Sequence, residues 1–255
     1  MDRKKLTSSF SLEEKIPWEC PTCKTGVLGI VESSLHKRIT PESDAICARY
    51  EQWIPEEIEY RYSCLFQCAS CKEIISSSGI GHVDVIGYET FDEGSYDAIY
   101  GDCFKPKFFE PHLSLISIPD NCPISIREPL NESFKLFFSS LGAAANNIRV
   151  AIEAFLTELK VPTEKKRKDG GSTFMSLHER IDKIPLTHTE YKEMLKAIKW
   201  IGNAGSHNSD VKPDVEDVID AYELIEHVLE EVYASRRKRL SAIAARINKN
   251  KGPGK

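Results

Sequence analysis

The sequence predicts an α+β protein, a β module followed by a four-helix bundle. Three observations predict it. All eight cysteines fall in the first half of the chain, the apolar pattern changes from strand-like to helical near residue 130, and a Pro-rich stretch lies between. A chain of 255 residues has room for two modest domains. Composition places a β module with an acidic insertion at 1–105, a Pro-rich connector at 106–126, a helical domain at 127–235 and a basic tail at 236–255. The balance of 41% hydrophobic and 29% charged residues excludes global disorder, and no apolar run is long enough to span a membrane. Met1-Asp2-Arg3-Lys4-Lys5 leads into Leu6-Thr7-Ser8-Ser9-Phe10 rather than a long apolar stretch, so no membrane association and a cytoplasmic location are expected.

Within the β module, Gly26–Val31 and Ile58–Phe66 read as strands, the second with partial apolar/polar alternation. Ile74-Ile75 and Val83–Gly87 read as shorter strands separated by Ser76–Gly79. The stretch from Glu42 to Glu59 holds six acids and reads as a solvated insertion. Residues 104–126 contain Pro106, Pro111, Pro119 and Pro123; because Pro fixes φ and removes a backbone donor, they read as an extended connector.

The sharpest chemical signal is Cys20-Pro-Thr-Cys23 paired with Cys68-Ala-Ser-Cys71. Two C-x-x-C turns each present two thiolates, and four thiolates complete the tetrahedral coordination of a structural zinc ion. Lys24 and Lys72 follow the two pairs and are expected to offset thiolate charge. The 44 residues between Cys23 and Cys68 exceed the usual ribbon spacing, so the site requires an insertion within a zinc ribbon-like hairpin. Two alternatives stand beside zinc: reduced, partly buried cysteines, or a redox pair. Cys64 is expected to face the opposite side or a small core, and Cys47, Cys103 and Cys122 lack paired spacing and read as packing residues.

From Asn131 the apolar period becomes helical. Asn131 is expected to cap one long helix reaching about Lys160, and Glu164–Gly171 to form an exposed loop. Ser172 or Thr173 caps a short helix with Phe174, Leu177, Ile181 and Ile184 inward. Thr187 or Thr189 opens a third, and Pro213 sits in the first turn of a fourth.

Ala145-Asn-Asn-Ile-Arg149-Val-Ala-Ile-Glu153 on the first helix and Ile198-Lys-Trp-Ile-Gly202-Asn203-Ala-Gly-Ser-His207 on the third resemble the domain of unknown function (DUF) 4145 family. That family is similar in turn to the HEPN (higher eukaryotes and prokaryotes nucleotide-binding) superfamily of helical bundles. The resemblance covers roughly 105–235 and implies a HEPN-like four-helix bundle, an N-terminal zinc ribbon of the kind found in family members, and a homodimer through the helical domain. It also implies a bacterial setting linked to nucleic acid or anti-phage defence.

Read from the residues alone, Arg149 and Glu153 are four apart and share a helix face, where they can pair. Gly202 permits close helix approach or a break, and Asn203 and His207 share a face if the helix continues. The four side chains fit a buried hydrogen-bond network, a ligand or active site, or unrelated exposed positions. HEPN-superfamily RNases leave four to six residues between Arg and His; here those places before His207 hold Trp200, Ile201 and Gly202, and Lys199, with seven residues between, is the nearest cation.

The net charge of −5 conceals a division. The tail carries Arg236, Arg237, Lys238, Arg239, Arg246, Lys249, Lys251 and Lys255 with no acid, so the rest of the chain carries −13. An acidic body disfavours a general nucleic-acid surface and leaves RNA or DNA contact to the tail. Leu240, Ile243, Ala244 and Ile247 lie on one helical face of that tail, a pattern that also fits a protein partner. The expected function is a non-catalytic, zinc-containing interaction module. Its rivals are a metal-independent RNase using His207, Asn203, Arg149 and Glu153, and a nucleic-acid-binding protein working through the ribbon and tail.

Overall fold

Sheet and helix both form, and they segregate along the chain as the α+β class requires. The computed structural model describes residues 2–13, 16–49, 54–92, 95–168, 170–206, 212–234 and 236–252. Two compact units emerge, one from residues up to Ser114 together with Phe134–Ser140, the other from Leu115–Ser133 and Leu141 onward.

The first unit contains α1 (Lys4–Thr7), β1 (Leu28–Ile39), α2 (Pro41–Arg49), a 3-10 turn at Pro55–Glu57, β2 (Glu59–Cys68), β3 (Ile74–Asp92) and β4 (Ser95–Glu110). The strands pair antiparallel in the order β1-β2-β3-β4. The alternation read in β2 is real: Tyr62, Cys64, Phe66 and Cys68 are buried, while Arg61, Ser63, Leu65 and Gln67 face solvent. Phe10 sits on the buried face, its ring 5.4–5.7 Å from those of Trp18, Tyr62, Phe66 and Phe104. Two backbone hydrogen bonds tie Phe10 to Phe104, at 2.9 and 2.7 Å. The acidic insertion becomes α2 and the 3-10 turn, fastened to β2 by Ser43, whose hydroxyl donates to the Glu57 carbonyl and accepts from the Glu59 N–H, both at 2.9 Å.

Two short strands separated by serines were expected where β3 runs unbroken for 19 residues. Ser76, Ser77 and Ser78 are paired on both sides, with Leu65, Cys64 and Ser63 on β2 and with Glu110, Phe109 and Phe108 on β4. Central pairing overrides their weak strand propensity. At Gly79 a Cβ would lie 2.3 Å from the Lys105 carbonyl oxygen, so the close approach of β4 requires glycine. The strand β4 likewise runs past Pro106, which falls at a register step on the edge of the sheet, where no ladder hydrogen bond is lost. Beyond Val83, whose N–H donates to the Ile58 carbonyl at 3.3 Å, β3 pairs only with β4, so Asp84–Asp92 and Ser95–Gly101 form a two-stranded ribbon.

The second unit is helical: α3 (Ile124–Phe137), α4 (Leu141–Glu158), α5 (Leu177–Asp182), a 3-10 turn at Leu186–Tyr191, α6 (Lys192–Ser206), α7 (Val215–Tyr233) and α8 (Arg236–Asn250). The final turn of α3, from Phe134, counts with the first unit. The single helix expected from Asn131 to about Lys160 is two helices. The Ser139 and Ser140 N–H groups both fold back to the Leu136 carbonyl (3.0 and 2.7 Å), as does the Ser139 hydroxyl (3.3 Å), which ends α3. Residues 164–174 form a small hairpin, β5 (Glu164–Lys166) with β6 (Ser172–Phe174), instead of a loop. Phe174 is exposed, not inward. The cap of α5 is Ser176, in a reciprocal box with Glu179, and Asp214 caps α7 in the same way with Asp217.

The helical core is aliphatic. Ala144, Ala145, Ile148, Ala151, Ile152, Phe155 and Leu156 on α4 are buried, as are Val218, Ile219, Ala221, Tyr222, Ile225, Val228 and Leu229 on α7. Ser133 bridges two helices inside it: its hydroxyl lies 2.8 Å from the Ala144 carbonyl and 2.6 Å from the Tyr222 hydroxyl, whereas the Nε atoms of Arg127, Arg149 and Arg180 are buried without a hydrogen-bond partner. Buried Arg180 donates to the Glu153 and Val161 carbonyls and to the Thr157 hydroxyl, capping the end of α4. Among the described residues no helix is long and apolar enough to cross a membrane.

Candidate metal centre and helical polar cluster

The two C-x-x-C turns have the same backbone construction. The Cys20 N–H donates to the Gly26 carbonyl at 2.8 Å, and the Cys68 N–H to the Glu73 carbonyl at 2.9 Å. The chain then curls back, so that the Lys24 N–H reaches the Cys20 carbonyl (2.9 Å) and the Lys72 N–H the Cys68 carbonyl (3.2 Å). Both lysines pass through the left-handed region, with φ of +56° and +65°. The turn therefore places these two positions in a conformation that does not itself call for lysine. The Lys72 ammonium donates to the Ala69 carbonyl at 2.9 Å.

This construction brings the sulfurs of Cys20, Cys23, Cys68 and Cys71 within 4.8 Å of one another. Across the two turns, Cys20 lies 3.7 Å from Cys71 and Cys23 lies 3.6 Å from Cys68. Zinc–sulfur bonds of about 2.3 Å in a tetrahedron separate sulfurs by about 3.8 Å, so the four positions fit one ion. Backbone N–H groups already point at the sulfurs: Gly26 at Cys23 (3.3 Å), and Ser70 and Cys71 at Cys68 (3.4 Å each). The Thr25 and Gly26 N–H groups and the Thr25 hydroxyl hold the Cys23 thiol down to about 5. Cys71 moves the other way, up to about 12: the Glu73 N–H favours its thiolate, but burial and the sulfurs of Cys68, Cys20 and Cys23 outweigh it. Four sulfurs this close cannot all carry charge without a cation between them, which a divalent metal would supply.

Two supporting residues had no motif to announce them. A Cβ on Gly26 would lie 2.4 Å from the Cys68 sulfur, so glycine is what lets the turns meet. The Thr22 hydroxyl donates to the Glu73 carboxylate at 2.9 Å, linking the turns outside the sulfurs. The only available signal for Gly26 was its spacing, three residues after Cys23. The other cysteines lie apart from the four: Cys64 and Cys122 are buried, and burial pushes their thiols up to about 12 and about 11.

In the helical unit, Arg149 and Glu153 pair at 3.0 Å on α4. Gly202 on α6 packs against them: a Cβ there would lie 2.7 Å from the Arg149 Cβ and 3.1 Å from the Ala145 carbonyl oxygen. The close helix approach read from this glycine is what forms. Asn203 follows it on α6, and His207 lies outside the described residues. One turn back, buried Lys199 has its ammonium 3.3 Å from the Trp200 ring centre and 3.2 Å from His178 Nδ1. Burial, then Lys196 and Arg149, lower its proton affinity, against the pull of Asp182. His178 Nε2 faces Asp182 at 3.6 Å, and that carboxylate also takes Lys192 and Lys196. His178 is isolated in sequence, and it and Asp182 sit on a short helix with no motif to mark their meeting with Lys199.

Compared with known families, residues 8–109 match a domain of unknown function (DUF8608) and residues 131–250 match a second domain of unknown function (DUF4145). The second match covers the stretch in which Arg149, Glu153, Gly202 and Asn203 were singled out. No curated protein and no solved structure is matched.

Proposed function

We propose that the protein is a non-catalytic interaction module, its β unit held by one structural zinc ion, acting in a prokaryotic nucleic-acid-linked or anti-phage defence setting. The observation that carries this reading is the closed geometry of the four sulfurs. With Cys20, Cys23, Cys68 and Cys71 as ligands, no coordination position remains for water or substrate, so the ion braces the fold and performs no chemistry. The helical polar cluster points the same way. Arg149 is neutralised by Glu153, and the Lys199 ammonium is buried under Trp200 and bonded to His178. Neither cation is presented for a phosphate. The setting rests on the family resemblance of the helical half, as do its partners, a second copy or another protein.

The purified protein, zinc-loaded, is incubated with single-stranded and structured RNA. Intact RNA is expected across substrates. Cutting that disappears in His207→Ala, with the melting temperature unchanged, would replace this reading by the HEPN-type RNase.

A further inference from the structure

Opposite the aromatic core, the sheet turns a second face to solvent. On β2 that face carries Arg61, Ser63, Leu65 and Gln67, and the register extends the Arg61 row to Arg38 on β1, Ile80 on β3 and Lys105 on β4. Alternation along β4 from Lys105 keeps Cys103, Gly101, Ile99 and Asp97 on it, so the same face runs out onto the ribbon. There Ile99 stands opposite Gly87, and Asp97 opposite Glu89.

Two pairs on this face go against the usual rule of cross-strand pairing. Arg38 lies directly opposite Arg61, and Glu89 directly opposite Asp97. Like charges so placed destabilise a sheet. All four are exposed, and among the described residues no ion pair reaches Arg38, Glu89 or Asp97. Arg61 has one with Glu59, at 3.9 Å and just as exposed.

The two pairs have opposite sign and stand at opposite ends of the face. Ile80, beside Arg61, is nine residues from Glu89 along β3, a separation of about 30 Å. Between them Ile86 and Ile99 are 42% and 44% exposed, and Ile86 lies over Gly101, where a Cβ would meet it at 2.6 Å. Asp84, also between them, has His82 beside it at 3.8 Å.

A face that is positive at one end, apolar towards its middle and negative at the other is complementary to itself turned end for end. A two-fold axis across its middle lays each arginine pair on the partner's carboxylate pair and brings the isoleucines together. A nucleic-acid strand would meet the arginines but be repelled by Glu89 and Asp97, and an acidic or a basic peptide would answer only one end. The charges therefore select a second copy.

We infer that this outer sheet face is the interface of a two-fold homodimer formed through the β unit. The inference rests on the interaction-module reading and gives that module its partner. The contact is about 30 Å long and two to four strands wide, small among specific interfaces, so the dimer is weak and salt-sensitive.

Sedimentation of the full-length, zinc-loaded protein over a concentration series tests it without reference to RNA cleavage, so the two readings fail separately. A monomer–dimer equilibrium is expected at low salt that shifts to monomer as salt is raised. Arg38→Glu/Arg61→Glu and Glu89→Lys/Asp97→Lys each raise the dissociation constant about tenfold or more, with melting temperature and zinc content unchanged. Mixed in equal amounts, the two variants associate again, because each reversed end then meets a reversed end. Asp97→Asn, which relieves the repulsion within the chain, weakens the dimer severalfold without lowering the melting temperature. A chain monomeric at low salt overturns the proposal, as does a dimer indifferent to the variants, the outcome expected of one made through the helical unit. Variants that weaken the dimer singly but do not recover on mixing overturn it too. So does a monomer that binds single-stranded RNA through Arg38 and Arg61, which assigns the face to nucleic acid instead.

Discussion

The β unit gathers aromatic rings around Phe10 on one face of a sheet and closes its end with four sulfurs, whereas the helical unit packs aliphatic stripes from α4 and α7. In the first, the turns that join the strands carry little hydrocarbon, and four clustered cysteines that could hold one metal ion stand in its place. In the second, burial is spread over many side chains, and buried hydroxyls such as those of Ser133 and Tyr222 pair inside the same unit. A single removal is therefore decisive in one unit and graded in the other.

That asymmetry predicts the largest effect. Removing zinc by chelation, or Cys68→Ser, withdraws metal-binding free energy of roughly 10 kcal/mol that in such sites is folding free energy. The β unit is expected to lose its near-ultraviolet aromatic signal while the helical far-ultraviolet signal persists. Phe155→Ala, by contrast, leaves a cavity in the fully buried helical core and costs about 3–5 kcal/mol there, with zinc content unchanged. Scanning calorimetry with metal analysis checks both. A single transition abolished equally by either change would erase the distinction between the units.

Each unit also has a glycine at its tightest approach, and the two differ in what stands opposite. At Gly26 the neighbour is the Cys68 sulfur, one of the four that could ligate a metal ion. Gly26→Ala is expected to weaken zinc binding by about 10–100-fold, read by competition with a chromophoric chelator. At Gly202 the neighbours are the Arg149 Cβ and the Ala145 carbonyl of α4. Gly202→Ala gains about 1 kcal/mol of helix propensity but overpacks the helix contact at a cost of about 1–3 kcal/mol, so a small net loss of helical stability is expected. Zinc affinity does not change in that variant.

What could be read beforehand follows the same division. The clustering of Cys20, Cys23, Cys68 and Cys71 was legible because C-x-x-C spacing suits a turn that presents two sulfurs to one point. The apolar stripe of α4 and the Arg149–Glu153 pair were legible because helical period places side chains without help from the rest of the fold. Strand β3 was not, because Ser76–Gly79 is a poor strand by itself and is held by neighbours on both sides. Nor was the start of α3 at Ile124, seven residues ahead of Asn131, since Pro123 just before it and Pro129 within it read as connector. His178 and Asp182 converge on Lys199 through tertiary packing alone, and no local pattern marks such a meeting.

The smallest expected effect separates two accounts of the lysines that follow the cysteine pairs. If Lys24 serves by charge, removing it leaves the thiolates less compensated, and zinc affinity falls most at low salt. The geometry gives a backbone role instead: Lys24 stands at φ +56°, in the left-handed region that an L side chain enters at a cost of about 1–2 kcal/mol. Lys24→Gly relieves that strain and loses about 0.5–1 kcal/mol through the greater freedom of the unfolded chain. A net stabilisation of up to about 1 kcal/mol is therefore expected for the β unit. At Lys72 the same exchange also gives up the bond from the ammonium to the Ala69 carbonyl, so Lys72→Gly gains less or nothing. Thermal melting of the zinc-loaded variants at low and high salt ranks them. Lys24→Gly at or above the parent, with no salt dependence of the difference, assigns the position to the turn; a loss that salt abolishes assigns it to charge.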